Sequence, residues 1–272
     1  HGEEGPAVGV IFDGTGYGPD GTIWGGELLV GDLVSYERAA SLWPVRLPGG
    51  EAAIRQPWRM ACAWLAELTD GVPPIPDRLA GEVEPGAWGM VAKLARTGTA
   101  SPVTTSAGRL FDAVSALCGL RARVTYEGQA AIELEMAAAG AWEAEEGYPV
   151  PVVEAPGPAE EPEGAGPEML LDARSLVEAA ARELAAGEAT GTVAARFHRG
   201  LADAAAGAAA DAARERGLEA VVLSGGVFQN VLLLERTAAR LTGEGLRVLV
   251  PARLPPNDGG ISYGQAAVAA AR

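Results

Sequence analysis

The stretch over residues 12–27, which reads FDGTGYGPDGTIWGGE, restricts the fold more than any other part of this chain. An apolar run over residues 7–12 ends at Asp13, and a second apolar run over residues 22–30 begins only after another Asp-Gly pair. This pattern predicts a strand, a glycine-rich turn and a second strand. Glycines allow backbone N–H groups to approach phosphate oxygens, and a carboxylate at a strand end can bind the cation that those phosphates share. A purely structural hairpin is the alternative, because Asp-Gly is also the ordinary hairpin signal.

The rest of the chain alternates between helical and strand patterns. The first half predicts a strand or loop over residues 36–50 and helices over 51–68 (with a break at Pro57), 79–96, 107–120 and 126–140, the helix over 107–120 being amphipathic. A proline-rich connection over residues 149–167 predicts a solvated loop or hairpin. The second half predicts two helices within 172–217 broken near 187–191, a strand over 220–223, a helix over 227–241, a strand over 247–250 and a closing helix over 261–271.

Three loops follow predicted strands, over residues 13–20, 224–230 and 257–260. Such loops gather at the carboxyl edge of an open α/β sheet, where ligands bind. Asp13 and Asp258 are therefore the carboxylates best placed to share a metal ion, although Asp258 has the alternative role of capping the final helix. The strand, glycine turn and helix after residue 220 also predict free N–H groups at a helix N-terminus, where an anion can bind.

Composition excludes some classes of function. The formal net charge is −15, from 21 basic and 36 acidic residues, which disfavours a nucleic-acid partner. The sequence has no apolar run of 18 residues and no basic region followed by an apolar one at its start, so we expect a cytoplasmic protein with no membrane partner. Because the chain begins with His1 rather than Met, we also expect it to be a piece of a longer polypeptide.

Residues that often carry chemistry have structural interpretations here. His198 lies in the middle of a predicted helix without a second histidine four residues away, which favours a packed or hydrogen-bonded role over a metal site. Cys62 and Cys118 lie in apolar helical patterns, where cysteine acts as a small hydrophobe. Neither a G-x-S-x-G elbow nor a P-loop motif occurs. The residues alone therefore leave the catalytic group unknown.

Seven motifs distributed over nearly the whole chain carry a family resemblance. They are DGTGYGPDGTIWGGE, PGGEAAIRQPWR, TSAGRLFDAV, YEGQAAIELE, ARFH, LSGGVFQN and LPPNDGGISYGQA. In content and order they resemble the C-terminal, Kae1-like domain of the HypF carbamoyltransferases of [NiFe]-hydrogenase maturation. The resemblance implies an α/β, actin-like ATPase fold (ASKHA, RNase H-like) with two lobes around a nucleotide cleft. It implies one Kae1-like domain over residues 1–272, truncated at its N-terminus, with lobes formed by residues 1–106 plus 218–272 and by residues 107–217.

The resemblance also implies the residues of the site. Asp13 and Asp258 would be metal ligands, with iron, zinc and magnesium as the candidate ions. The nucleotide, ATP or carbamoyl adenylate, would be bound by residues of three groups: Gly14, Thr15 and Gly16 at phosphate, Gly108, Asp112 and Glu127 on the ribose and adenine side, and Gly225, Gly226 and Asn230 along the same ligand. In the family the metal also takes two histidines from an upstream H-x-x-x-H helix that these residues do not include.

The implied reaction is transfer of a carbamoyl group from carbamoyl adenylate, which another domain makes, to the C-terminal cysteine thiolate of the partner protein HypE. AMP is the leaving group. Without that other domain the chain is not expected to make carbamoyl adenylate by itself. Two alternatives stay open: a small-molecule O-carbamoyltransferase, and a catalytically incomplete module that binds nucleotide and docks a partner.

Overall fold

The computed structural model describes residues 5–144, 146–156 and 166–271. Within these residues nine strands form one mixed sheet, in which β6-β7-β3-β2-β1-β8-β9 is the main order and β5 joins β2 to β4. The strands are β1 (Ala7–Tyr17), β2 (Ile23–Gly31), β3 (Tyr36–Leu42), β4 (Val45–Arg46), β5 (Val103–Thr104), β6 (Val152–Glu154), β7 (Met169–Leu171), β8 (Ala220–Ser224) and β9 (Arg247–Leu249).

Nine α-helices lie in the same described residues. They are α1 (Glu51–Arg55), α2 (Trp58–Ala66), α3 (Pro85–Thr97), α4 (Ala107–Leu117), α5 (Gln129–Ala139), α6 (Arg174–Ala185), α7 (Thr190–Arg216), α8 (Val231–Gly243) and α9 (Ile261–Ala271). None of the described helices is both long and apolar enough to cross a membrane.

The centre of the sheet is β1, which pairs antiparallel with β2 and parallel with β8. Val8, Val10 and Phe12 alternate along β1 and are completely buried, as expected for a strand with one face on a core. Because β1 and β8 are parallel, their carboxyl ends lie side by side at one edge. That edge carries Asp13 and the glycine loop that follows Ser224.

The helix α4 is the main support of the sheet beneath that edge. The sequence predicted an amphipathic helix here, but all eleven residues of α4 are buried. The helix packs against β1, β2, α2 and α5 at once, so no face of it meets solvent. The polar residues of α4, including Arg109 and Asp112, therefore do not form the solvent-exposed face that an amphipathic helix would have.

Other predicted elements need smaller corrections. The break at Pro57 and the two helices within residues 172–217 are confirmed. The helix predicted over 79–96 is wrong at its start: a 3₁₀ turn over Asp77–Leu79 is followed by extended backbone, and α3 begins at Pro85. Glu84, which precedes that proline, is extended, because the proline ring disfavours helical backbone at the preceding residue.

The predicted connection over residues 149–167 contains β6, and its part over residues 157–165 lies outside the described residues, as does His1. Both β6 and β7 come from the stretch over residues 107–217 that was assigned to the second lobe. β7 nevertheless pairs parallel with β3, which comes from the first lobe. The division into lobes stays a prediction.

Candidate functional site

The two Asp-Gly pairs of the opening hairpin have different roles. β1 continues as a strand through Asp13 to Tyr17, with a register shift between Phe12 and Gly16. The turn itself is formed by the second pair, where the Asp20 carboxylate accepts a hydrogen bond from the Thr22 backbone N–H at 2.9 Å. The predicted turn at residues 13–16 is therefore an irregular strand end, and the structural-hairpin interpretation applies to the second Asp-Gly pair.

A cavity of about 490 Å³ lies at the carboxyl ends of β1 and β8. Its walls come from β1, α4, the start of α5, the glycine loop after β8 and the turn over Asp258–Gly260. It brings together nine of the eleven predicted site residues: Asp13, Gly14, Thr15, Gly108, Asp112, Glu127, Gly226, Asn230 and Asp258. Gly16 lies outside it, paired with Trp24 in the hairpin. Gly225 lines a neighbouring cavity of about 350 Å³ instead.

Close backbone approach explains the glycine at residue 108. A Cβ at Gly108 would lie 2.9 Å from the Gly14 Cα, so the first turn of α4 packs directly on β1. Ser106 caps α4 by accepting from the Arg109 backbone N–H at 3.1 Å, and its hydroxyl also lies 2.9 Å from the Asp13 carbonyl oxygen. These contacts fix the strand end of β1 against the helix.

The carboxylate of Asp13 lies between two glycines. Its Oδ1 accepts a hydrogen bond from the Gly14 N–H at 2.7 Å, and a Cβ at Gly226 would lie 3.1 Å from the same oxygen. A side chain at residue 226 would thus crowd this carboxylate. Asp13 and Asp258 both line the two neighbouring cavities, so they lie where the cavities adjoin.

Asp258 is exposed and, within the described part of the chain, makes no side-chain hydrogen bond. Asp258 thus shows no capping contact, and the 3₁₀ turn over Asp258–Gly260 that leads into α9 is capped by Asn257, whose Oδ1 accepts from the Gly259 N–H at 3.1 Å. Two carboxylates facing one space suit an oxygen-preferring cation. In the described residues no group of three or more His, Cys, Asp or Glu side chains is arranged to hold a metal ion.

Asp112 and Arg109 form a buried ion pair on the cleft side of α4. The Arg109 Nε lies 2.7 Å from the Asp112 Oδ2, and both side chains are less than a tenth exposed. Burial raises the pKa of Asp112 to about 6, and the opposite charge of Arg109 acts against that rise. The carboxylate is therefore held in the ion pair at a cost in desolvation.

The N-terminus of α8 is not free, contrary to the prediction of an anion site there. The Asn230 Oδ1 caps it by accepting from the Leu233 N–H at 2.9 Å. The Val231 N–H donates to the Glu135 carboxylate of α5 at 2.7 Å. Since these donors already have acceptors, an anion at this helix end would have to replace one of them. Glu135 was missed because nothing in the local sequence of α5 indicates a contact 96 residues away.

His198 holds Asn230 in place, which confirms its predicted structural role. Its ring is completely buried, and its Nδ1 lies 2.7 Å from the Ala194 carbonyl oxygen. Its Nε2 lies 2.9 Å from the Asn230 Nδ2, which donates to it, so the ring is neutral with its proton on Nδ1. Burial lowers the pKa of His198 to about 4. Protonation would place two donors face to face and free the Asn230 side chain.

This histidine predicts a pH effect on stability. Its pKa falls from 6.5 to about 4 on folding, so the unfolded chain takes up a proton first as the pH drops below about 6.5, and stability is lost between there and pH 4. At pH 5 the loss relative to pH 7.5 should be about 2 kcal/mol. Urea unfolding of the wild type and of His198→Gln across this range measures it. The raised pKa of Asp112 makes the folded protein more stable at low pH in both the wild type and the variant, so the difference between their unfolding free energies isolates the effect of His198. If the unfolding free energy changed with pH equally in both proteins, the role assigned to His198 would be contradicted.

A second buried network supports the hairpin from below. The Glu27 carboxylate accepts from the N–H groups of Gly25 and Gly26 at 2.6 and 2.8 Å, and from Arg38 at 2.9 Å. Arg38 also pairs with Asp20 at 3.1 Å. Burial raises the pKa of Glu27, although its hydrogen bonds and Arg38 favour the ionised form. This network gives Asp20 and Glu27 of the opening motif a structural role, since neither lines the cleft cavity.

The mixed sheet has β1 and β8 parallel at its centre, and a glycine-lined cleft lies beside them. This architecture is that of a Kae1-like α/β domain. The chain belongs to the family described as carbamoyltransferase, Kae1-like domain, second subdomain, which it matches over residues 9–265. The predicted family and fold class are thereby confirmed.

Relatives and solved structures agree with this assignment. The carbamoyltransferase HypF of Rhodobacter capsulatus is 40% identical over 97% of this chain, which covers 32% of that protein. A HypF homolog of Cupriavidus necator is 40% identical, with 97% of this chain and 65% of that protein covered. The crystal structure of a full-length HypF in a phosphate- and nucleotide-bound form superposes with a TM-score of 0.85 at 34% identity, over 98% of this chain and 33% of the other. The chain thus spans about a third of the length of most of these relatives.

Proposed function

We propose that this chain binds an adenine nucleotide in the cleft and serves carbamoyl transfer from carbamoyl adenylate. The observation that carries the proposal is the convergence of nine predicted site residues from five separated segments on one cavity. The relatives named carbamoyltransferase and the solved HypF in a phosphate- and nucleotide-bound form support it. The phosphate would lie by Gly14, Thr15 and Gly226, and the ribose and adenine by Gly108, Asp112 and Glu127.

The charge of the cleft bears on how a nucleotide binds. Among the described residues, five carboxylates line the cavity, from Asp13, Asp112, Glu127, Glu135 and Asp258, against one cationic side chain. Phosphate oxygens entering such a cleft would be repelled unless a cation lay between the charges. We therefore propose that Asp13 and Asp258 contribute two oxygen ligands to a divalent cation, with further ligands from the nucleotide or from outside this chain. When bound, the cation would neutralise phosphate charge and steady the leaving group.

The proposed acceptor is the C-terminal cysteine thiolate of a HypE-like partner. Its sulfur would attack the carbamoyl carbon, an S–C bond would form, and the bond from that carbon to the phosphate oxygen would break, so that AMP leaves with the electron pair. A thiolate is already a strong nucleophile and the acyl group is already activated, so the chain has to supply position and charge stabilisation rather than a general base.

One observation favours a second candidate function. Within the described residues the cation site has only two carboxylates, as expected for a module that binds nucleotide and docks a partner but cannot transfer the carbamoyl group alone. Incubation of the chain with carbamoyl adenylate and the acceptor protein distinguishes the two. A carbamoyl mass increase on the terminal cysteine supports transfer. Nucleotide binding without any adduct on a reactive acceptor supports the docking module, and failure to bind nucleotide contradicts both.

A further inference from the structure

A β-bulge forms the part of β1 that lines the cleft. The pairing of β1 with β2 is regular up to Phe12 and resumes at Gly16, and residues 13–15 lie between these points opposite the single residue Gly25. All three bulged residues line the cleft cavity. A bulge interrupts the hydrogen-bond ladder and redirects the chain, and bulges are frequent beside binding sites. The geometry of this bulge therefore sets where the Asp13 carboxylate lies in the cleft.

Glu27 holds the β2 side of the bulge. Its Oε2 accepts hydrogen bonds from the N–H groups of Gly25 and Gly26, at 2.6 and 2.8 Å. A Cβ at Gly25 would lie 2.6 Å from the Asp13 carbonyl oxygen, so the backbone that Glu27 binds packs directly on the first bulged residue. The Glu27 side chain is 2% exposed and lines neither cavity. It thus binds the backbone opposite the bulge and does not reach a ligand in the cleft.

The same carboxylate also connects to the α4 side of the bulge. Its Oε1 accepts a hydrogen bond from the Thr105 hydroxyl. The next residue, Ser106, has its hydroxyl 2.9 Å from the Asp13 carbonyl oxygen and 2.5 Å from the Gly14 carbonyl oxygen. Arg38, whose Nη2 lies 2.9 Å from Oε1, balances the buried negative charge. One carboxylate therefore joins both backbone segments that pack on the bulge.

We infer that Glu27 is a positioning residue for the Asp13 carboxylate, which it holds where the proposed cation can bind. This inference rests on the proposed nucleotide cleft and its cation. Without the Glu27 carboxylate, the buried N–H groups of Gly25 and Gly26 lose an acceptor, and the backbone opposite the bulge has to move to find another. Residues that orient a metal ligand without touching the metal change metal affinity by about tenfold to a hundredfold.

A purely structural carboxylate would behave differently. If Glu27 only anchored β2 in the core, its replacement would lower the free energy of unfolding, but the folded variant would bind nucleotide and magnesium as the wild type does. A positioning role instead predicts a loss confined to the binding that magnesium supports.

Calorimetry with ADP, with and without magnesium, tests the inference on the full chain. The ratio of the two affinities is the magnesium enhancement. Glu27→Gln, which keeps the size of the side chain but replaces one acceptor oxygen by a donor, should lower this enhancement about tenfold to a hundredfold and change ADP binding without magnesium by less than about threefold. Asp13→Asn should lower the enhancement at least as much, and adding Glu27→Gln to it should cost little more.

Asp20→Asn is the matched control. Asp20 pairs with the same Arg38 at 3.1 Å and has only 7% of its side chain exposed, but it holds the turn at Thr22 and not the bulge. The substitution should lower stability and leave the magnesium enhancement unchanged. Thr105→Val is a second test variant, which removes one hydrogen bond of Glu27 and should lower the enhancement about threefold to tenfold.

Three results for a folded Glu27→Gln variant would overturn the inference and leave the nucleotide cleft intact: the wild-type enhancement, an equal loss of affinity with and without magnesium, or a loss that Asp20→Asn reproduces. If Glu27→Gln does not fold, an unchanged enhancement in Thr105→Val overturns the inference. ADP binding by the wild type without any magnesium enhancement would overturn the proposed cation, and the inference with it. Absence of ADP binding by the folded wild type would overturn the proposed function as a whole.

Discussion

Gly225→Ala should lower the free energy of unfolding by about 3 to 5 kcal/mol. Gly225 has a φ of +103°, and a Cβ there would lie 2.1 Å from the Phe12 carbonyl oxygen and 2.6 Å from the Phe12 carbonyl carbon. These are backbone atoms of the central strand, so the clash cannot be relieved by a rotamer change. Relief requires β8 and the following loop to move away from β1, which opens the cleft at its phosphate side.

The control for this substitution is Gly187→Ala. Gly187 follows α6 with a φ of +89°, but a Cβ there would meet no atom within 4 Å. It should cost only about 1 kcal/mol, from the left-handed backbone alone. Urea unfolding of both variants measures the difference. Equal losses would show that backbone strain, and not the close approach of the loop to β1, makes glycine necessary at residue 225.

Asp258→Asn should weaken magnesium-dependent ADP binding by at least about tenfold and should reduce carbamoyl transfer further, because it removes one of two carboxylates proposed to bind the cation. The free energy of unfolding should change by less than about 0.5 kcal/mol, since Asp258 is exposed and the cap belongs to Asn257. Calorimetry with and without magnesium, beside urea unfolding, separates the two effects.

Asp70→Asn provides the matched control, because Asp70 is also an exposed aspartate and lies outside both cavities. It should change neither binding nor stability. A loss of affinity in Asp258→Asn that is the same with and without magnesium would contradict the role of Asp258 as a cation ligand. It would leave a direct polar contact to the nucleotide as the explanation.

The sequence was sufficient to predict which two loops meet at the cavity beside the sheet. Apolar runs ending in Asp13 and in Ser224 indicated two strand ends with glycine loops, and parallel pairing of β1 with β8 brings them together. The hairpin was predicted with its turn in the wrong place, because both Asp-Gly pairs have the same local signal. The pairing of Gly16 with Trp24 shows that the first Asp-Gly pair lies within the hairpin strand and that the turn comes after it.

Contacts over long sequence separations explain what could not be predicted. Glu135 at the N-terminus of α8 and His198 against Asn230 join elements separated by 96 and 32 residues. The helix α4 reads as amphipathic, because its polar residues follow a helical period. These polar residues are nevertheless buried, because other helices and strands pack around α4.

A crystal structure of the full chain with ADP and magnesium tests the central claim most directly. The account predicts that the β-phosphate and the cation lie between Asp13, Asp258 and the glycines at residues 14 and 226, and that the ribose lies by Asp112. A nucleotide bound in the neighbouring cavity, or bound in the cleft with its phosphates at α5 and its ribose remote from α4, would contradict the account.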